Sequence, residues 1–291
     1  MESVKEILNK MDFKERQVKC DIDFGFKQLN ELISYLPKSK IITLYGLPES
    51  GKTSLALNML ISLLGSENCS VLYLTKHETS EMIMKRLIAL CLNLPLDNIL
   101  KGNIYFKELL EVYEGVNYLK ETPLYIHESI GELDDGADLN KILAKFATLS
   151  SGYKYKVVFY DEYKSEKHLI EQMRKELKKY DMTLILLSVH DSLFFNRECK
   201  HLEIYNHDCY LSDISNILLS ICRKAQFEPE SKDNTLYISV LKNIYDKTGV
   251  IKYEMDPTTL LCLEVGITDE EPPVKIGFRR TIFNKYLGGN D

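Results

Sequence analysis

Residues Gly46-Leu47-Pro48-Glu49-Ser50-Gly51-Lys52-Thr53 fit the spacing G-x-x-x-x-G-K-[ST], and no other stretch restricts the fold and chemistry of this chain so tightly. Glycines at both ends let backbone N–H groups turn inward around a phosphate. Lys52 then reaches the β and γ oxygens, and Thr53 offers a hydroxyl to Mg²⁺. The flanks separate this reading from an ordinary glycine turn. Upstream, Ile41-Ile42-Thr43-Leu44-Tyr45 is a β-branched and aromatic run suited to a buried parallel strand. Downstream, residues 53–64 are rich in Leu and Ala and stop at Gly65, which predicts a helix closed by a left-handed glycine. A strand feeding a helix through such a loop aims the positive end of the helix dipole at phosphates. Gly46, Pro48, Ser50, Gly51, Lys52, Thr53 and Ser54 are thus the candidate phosphate contacts. Glu49 is discordant, since its carboxylate weakens polyphosphate binding unless it points away or faces a cation.

The same alternation continues along the chain. Residues 71–74 read as a strand and 80–92 as a helix capped by Thr79 or Ser80. Residues 124–127 read as a strand, 139–149 as a helix, 157–160 as a strand ending in Asp161-Glu162, and 164–180 as a charged amphipathic helix. Residues 183–189 form the most apolar strand, after which the pattern changes to strands alone at 217–222, 235–241 and 250–255, the last two joined by a turn at 246–249. This order predicts an α/β fold with a mostly parallel core and an antiparallel edge. Val4, Ile7, Leu8 and Met11 fall at helical spacing and predict a short amphipathic helix over 3–16, whose apolar face packs on its own domain or on a neighbouring subunit.

With 45% hydrophobic residues in 291, the chain can bury a substantial core. No run of eighteen uncharged apolar residues and no basic-then-apolar start is present, which predicts a cytoplasmic protein without a membrane span. Seven scattered cysteines fit reduced thiols. A net charge of −6 argues against a generally basic, nucleic-acid-coating surface and restricts any DNA contact to a local channel.

Hydrolysis needs more than a phosphate loop. Asp161 ends an apolar strand expected beside the phosphate-loop strand, which suits it to hold Mg²⁺ through water; the alternative is a strand-end Asp that caps the next helix. Glu162 is a candidate to polarise water, and since adjacent strand residues point to opposite faces only one of the two faces a metal directly. His77 and Glu78 follow the second strand at the same sheet edge and are further candidates, or else solvated loop residues. Cys199, His201, His207 and Cys209 carry metal-capable side chains at a spacing that matches no common zinc pattern.

These pieces together resemble the ATPase domain of DnaB-type hexameric replicative helicases, a RecA-like fold, over most of residues 3–262. Residues 23–32, DFGFKQLNEL, resemble the family's TGFKQLDEL. Residues 71–86, VLYLTKHETSEMIMKR, align without a gap to VLxFSLEMxxEQxxxR. Residues 123–128, PLYIHE, resemble PLYIDD, and Lys242-Asn243 with Lys247-Thr248-Gly249 resembles AKNRxGPTG. The resemblance implies a linker helix segment over 1–20, a RecA-like P-loop ATPase domain over 21–265 and a tail over 266–291. It also implies ATP and Mg²⁺ as cofactors, single-stranded DNA as a partner, and a homo-oligomeric ring or association with a replicative helicase, the helix at 3–16 docking on the adjacent subunit. Thr53 and Asp161 fall at its metal positions.

The departures fall on the catalytic side. The family's catalytic glutamate aligns with His77, leaving Glu78 one place late, and a neutral imidazole lacks the carboxylate's charge. Lys242 is kept at the position that reaches the neighbouring subunit's γ-phosphate. Ile244 replaces the arginine finger, a group that elsewhere supplies roughly 10³–10⁵ in rate. Val189 follows Ser188 where the family's ALSQ strand carries a γ-phosphate-sensing glutamine. The stretch after Asp161, where a DNA-binding loop would lie, is about ten residues shorter than the family's. A second such loop falls at 191–208, where Arg197, Lys200 and His201 are the candidate phosphate contacts. Two readings follow: an ATP-dependent replicative helicase or helicase-related protein with impaired hydrolysis, or a degenerate nucleotide-binding paralogue that regulates or joins an active helicase.

Overall fold

Almost every strand at the centre of this molecule buries both faces, which is why its sequence reads as unbroken apolar runs. The computed structural model describes residues 23–33, 39–128, 136–161, 167–189, 209–223, 225, 233–245 and 247–265. Their strands are β1 (Ile41–Gly46), β2 (Cys69–Thr75), β3 (Leu124–Glu128), β4 (Tyr155–Asp161), β5 (Met182–Val189), β6 (Ile217–Arg223), β7 (Thr235–Asn243), β8 (Gly249–Met255) and β9 (Cys262–Glu264). They form one sheet in the order β3-β2-β4-β5-β1-β6-β7-β8-β9. Pairing is parallel from β3 across to β6 and antiparallel from β6 to β9.

The helices are α1 (Lys27–Leu32), α2 (Lys52–Leu64), α3 (Ser80–Leu92), α4 (Leu96–Lys101), α5 (Phe106–Glu121), α6 (Gly136–Leu149), α7 (Lys167–Tyr180) and α8 (Cys209–Ile214). They divide between the two faces. Ile42, Leu44, Val71, Tyr73, Val157, Phe159, Ile185 and Leu187 pack in one core with α2 and α3. Their strand neighbours Ile41, Tyr45, Leu72, Leu74, Val158, Tyr160, Leu184 and Leu186 pack in the other with α6 and α7. The period of two along each strand thus feeds two separate cores. α2 is buried at every position except Thr53, so it is the central helix of its layer. α7 instead buries only the stripe Leu169, Ile170, Met173 and Leu177, each worth roughly 1.5–3 kcal/mol when fully removed from water.

Several sequence expectations need correction. β4 does not lie beside β1, because β5 is inserted between them. Gly65 is right-handed, with φ −69°; its N–H bonds back to Ile61 and the chain leaves α2 through a tight turn that needs no left-handed residue. The segment after β5 is not strands alone, since α8 precedes β6. β6 itself runs parallel to β1 and belongs to the core, the antiparallel edge beginning at β7. α4 and α5 fill a stretch for which the sequence reading gave no element. Thr79 is the cap of α3, its side chain accepting from Met82 N at 3.2 Å. The helix over 3–16, the tail from 266, the segment 191–208 with Arg197, Cys199, Lys200, His201 and His207, and Glu162 lie outside the described residues. Among the described residues, Cys69, Cys91, Cys222 and Cys262 form no disulfide, and no helix is long and apolar enough to cross a membrane.

Candidate functional site

β1 ends at Gly46, and residues 47–51 turn the chain into α2 at the carboxyl edge of the parallel strands, where ligands of such sheets bind. Gly46 has no room for a side chain: a Cβ would stand 2.3 Å from the carbonyl oxygen of Ile221 on β6 and 2.9 Å from Ser50 Oγ. Gly51 sits at φ +93° and caps α2 without any side-chain hydrogen bond. The first-turn N–H groups of α2 therefore meet the cleft with no capping side chain as acceptor, an arrangement that receives an anion. Glu49 adopts φ +60° and is exposed, so water screens its carboxylate at the mouth of the loop. Pro48 is exposed as well, whereas Ser50 and Ser54 are buried.

Lys52 is 8% exposed and folds back over the loop, its Nζ donating to the carbonyls of Gly46 at 2.9 Å and Leu47 at 2.6 Å and to Ser50 Oγ at 3.4 Å. Burial pulls its ammonium from the ordinary 10.5 down to about 8, against the opposing attraction of Asp161. Asp161 ends β4, level with Thr75 of β2. Its Oδ2 accepts from Thr53 Oγ1 at 3.1 Å and from the hydroxyl of fully buried Tyr73 at 2.7 Å. Burial raises the Asp161 carboxyl above its usual range, the Tyr73 and Thr53 donors oppose that rise, and the Glu78 charge adds to it.

Glu78 and Arg86 form the facing wall. Thr75 Oγ1 donates to Glu78 O at 2.9 Å and accepts from Glu78 N at 3.1 Å, which fixes the turn into α3. Arg86 then donates from Nε to Glu78 Oε2 at 2.9 Å and from Nη2 to Oε1 at 2.6 Å, a two-pronged ion pair with both side chains partly exposed. Residues 49–54, Glu78, Arg86, Arg223, Met255, Pro257 and Leu260 line one cleft of about 400 Å³.

The far end of the cleft is apolar and braced from α2. Asn58 Nδ2 donates to Ser54 O at 2.7 Å and to Leu260 O at 2.9 Å, while its Oδ1 accepts from Cys262 N at 3.3 Å. Leu260 is held at φ +64°, and Asp256 gathers Thr258 N, Thr258 Oγ1 and Thr259 Oγ1 at 2.7–2.9 Å. The phosphate-loop helix and the β8–β9 turn are thus one bonded unit.

The structure brings together Gly46, Ser50, Gly51, Lys52, Thr53, Ser54, Asp161 and Glu78. It leaves others apart. His77 is exposed and does not line the cleft. Lys242 Nζ donates to Ser212 O at 2.6 Å and does not line this chain's own cleft; Ile244, nearby, is 54% exposed. Val189, the last residue of β5, stands level with Gly46. Tyr73, Arg86, Arg223 and the Met255–Pro257–Leu260 wall escape the sequence reading. Arg86 alone leaves a trace there, at the arginine of the gapless match. The donors fit a magnesium-bound polyphosphate: a hydroxyl and a carboxylate 3.1 Å apart beside a buried ammonium. Among the described residues no group of three His, Cys, Asp or Glu gathers to hold a metal unaided, so ligand oxygens and water would complete the shell.

The family model of the DnaB-like helicase C terminal domain matches residues 21–191. A probable plasmid replicative DNA helicase of Chlamydia trachomatis is 26% identical over 137 residues, 47% of this chain and 29% of that protein. A probable replicative DNA helicase of Guillardia theta is 21% identical over 178 residues, 56% of this chain and again 29% of the relative. The matched part is therefore under a third of the length of these relatives. Among solved structures, one ATPase domain superposes with a TM-score of 0.75 at 13% identity, covering 91% of this chain and all of that one. A DnaB-like replicative helicase, described with its interactions with primase, superposes at 0.73 with 14% identity, covering 90% of this chain and 67% of its own. Both superpositions show that the chain shares the fold of these two structures.

Proposed function

The chain belongs to the DnaB-like helicase C terminal domain family, and from that premise we propose that it is an ATP-binding module of DNA replication, working as a slow helicase-type ATPase in a ring or beside a replicative helicase. The observation that carries this reading is the joining of an uncapped phosphate loop to a metal-side carboxylate through the Thr53–Asp161 hydrogen bond. Loop N–H groups and Lys52 would bind the phosphates, and Thr53 and Asp161 would hold Mg²⁺. Bound Mg²⁺ would neutralise charge on the β and γ oxygens. Tyr73 fixes the Asp161 carboxylate from the buried side. Water activation falls to Glu78 or Glu162, with His77 the third candidate. Lys242 would reach a neighbouring subunit's nucleotide, and single-stranded DNA would pass a local channel rather than a basic surface.

A specific observation favours the second reading, a nucleotide-binding paralogue that regulates or joins an active helicase. Glu78 is engaged by Arg86, and the family resemblance implies apolar Val189 and Ile244 at the sensing and finger positions. Steady-state ATP hydrolysis with and without single-stranded DNA, with Lys52→Ala as background, separates the two. DNA-stimulated turnover lost in the variant supports the motor. Nucleotide binding without turnover supports the paralogue, and absence of both refutes the proposal.

A further inference from the structure

The cleft has a cationic wall that the phosphate loop does not explain. Arg86, on the second turn of α3, lines the same cleft as Lys52 and Thr53, and its guanidinium donates two hydrogen bonds to the Glu78 carboxylate. The pair is about one-fifth to one-third exposed, so both members can exchange partners without leaving the cleft. A guanidinium fork matches a phosphate as well as it matches a carboxylate. Val189, level with Gly46, and the half-exposed Ile244 are apolar and offer a third phosphate no hydrogen bond.

We propose that Arg86 is the γ-phosphate-reading residue of this chain, exchanging the Glu78 carboxylate for the terminal phosphate of a nucleoside triphosphate and releasing Glu78 into the cleft. This inference rests on the nucleotide-site reading above. It makes the ion pair a latch: with a diphosphate, Arg86 stays on Glu78 and the carboxylate is held; with a triphosphate, the fork turns and Glu78 is freed beside the reacting end. The exchange moves no covalent bond, only two charge-assisted hydrogen bonds from one acceptor to another. It also explains why a glutamate one place out of register with the family's catalytic position is retained against a cation.

The test is equilibrium affinity, measured by calorimetry on the full chain for ADP and for a non-hydrolysable ATP analogue, both with Mg²⁺. Wild type should prefer the triphosphate. Arg86→Gln should lose about tenfold or more of the analogue's affinity and little of ADP's, the scale of one charge-assisted hydrogen bond. Glu78→Gln should act in the opposite direction and strengthen the analogue, because Arg86 no longer has to leave a carboxylate. A bracing ion pair would instead weaken both ligands alike in both variants. The double variant Glu78→Gln with Arg86→Gln removes both charges at once and so guards against loss of fold in the single ones; it should bind ADP normally and discriminate poorly. An unchanged ratio of the two affinities in the Arg86 variants overturns the exchange while leaving the phosphate loop intact. Failure of wild type to bind either nucleotide overturns the site reading and this inference with it.

Discussion

Lys52 titrates in a range that ordinary lysines do not, and this gives the site a pH signature. Burial brings its ammonium from 10.5 to about 8. The folded state therefore binds fewer protons than the unfolded chain between those two values, so stability rises with pH across that window and is flat below it. The full shift corresponds to about 3 kcal/mol at roughly 1.4 kcal/mol per pH unit. The quantity that isolates this group is the urea-unfolding free energy of wild type minus that of Lys52→Met, at intervals from about pH 7 to 10.5. The difference should climb by about 2–3 kcal/mol. Nucleotide binding should run the other way. Phosphates beside the ammonium favour its charged form, so binding takes up a proton above about pH 8, and affinity should fall about tenfold from pH 7 to pH 9. A flat stability difference together with pH-independent affinity would refute the claim that this ammonium is buried and poised for an anion.

Asn58→Ala should strand Leu260 O and Cys262 N in the protein interior, at about 1–3 kcal/mol each, and lower Tm by about 5–15 °C. A shift under about 2 °C in a thermal melt would show that the β8–β9 turn does not depend on α2. Tyr73→Phe should remove a donor worth about 1.5–3 kcal/mol from the Asp161 carboxylate. Nucleotide affinity in EDTA should be little changed while the gain on adding Mg²⁺ shrinks; equal losses with and without Mg²⁺ would mean that Tyr73 only packs.

The parts legible in the sequence are those where a local pattern and the tertiary role coincide. Ile41 to Gly46 and the run into α2 read correctly because a buried parallel strand and a fully buried helix are both continuous apolar text. α5 is not legible because Leu109, Leu110 and Tyr113 are exposed, so its apolar residues do not form a single buried stripe. The place of β5 between β1 and β4 is hidden because parallel crossovers let spatial order depart from chain order. The Tyr73–Asp161 bond depends on that order, through the β2–β4 pairing. The Glu78–Arg86 pair joins a loop residue to the second turn of the following helix, eight positions on. It lies outside the three- and four-residue spacings that make helix pairs visible.

The central claim is that residues 46–54 bind the phosphates of a nucleotide. Its most direct test is titration calorimetry of Mg-ADP into wild type and into Lys52→Ala under identical conditions. The account predicts a single saturable site in wild type and no measurable binding in the variant, with both proteins equally folded by circular dichroism. Equal affinity in the two would contradict it.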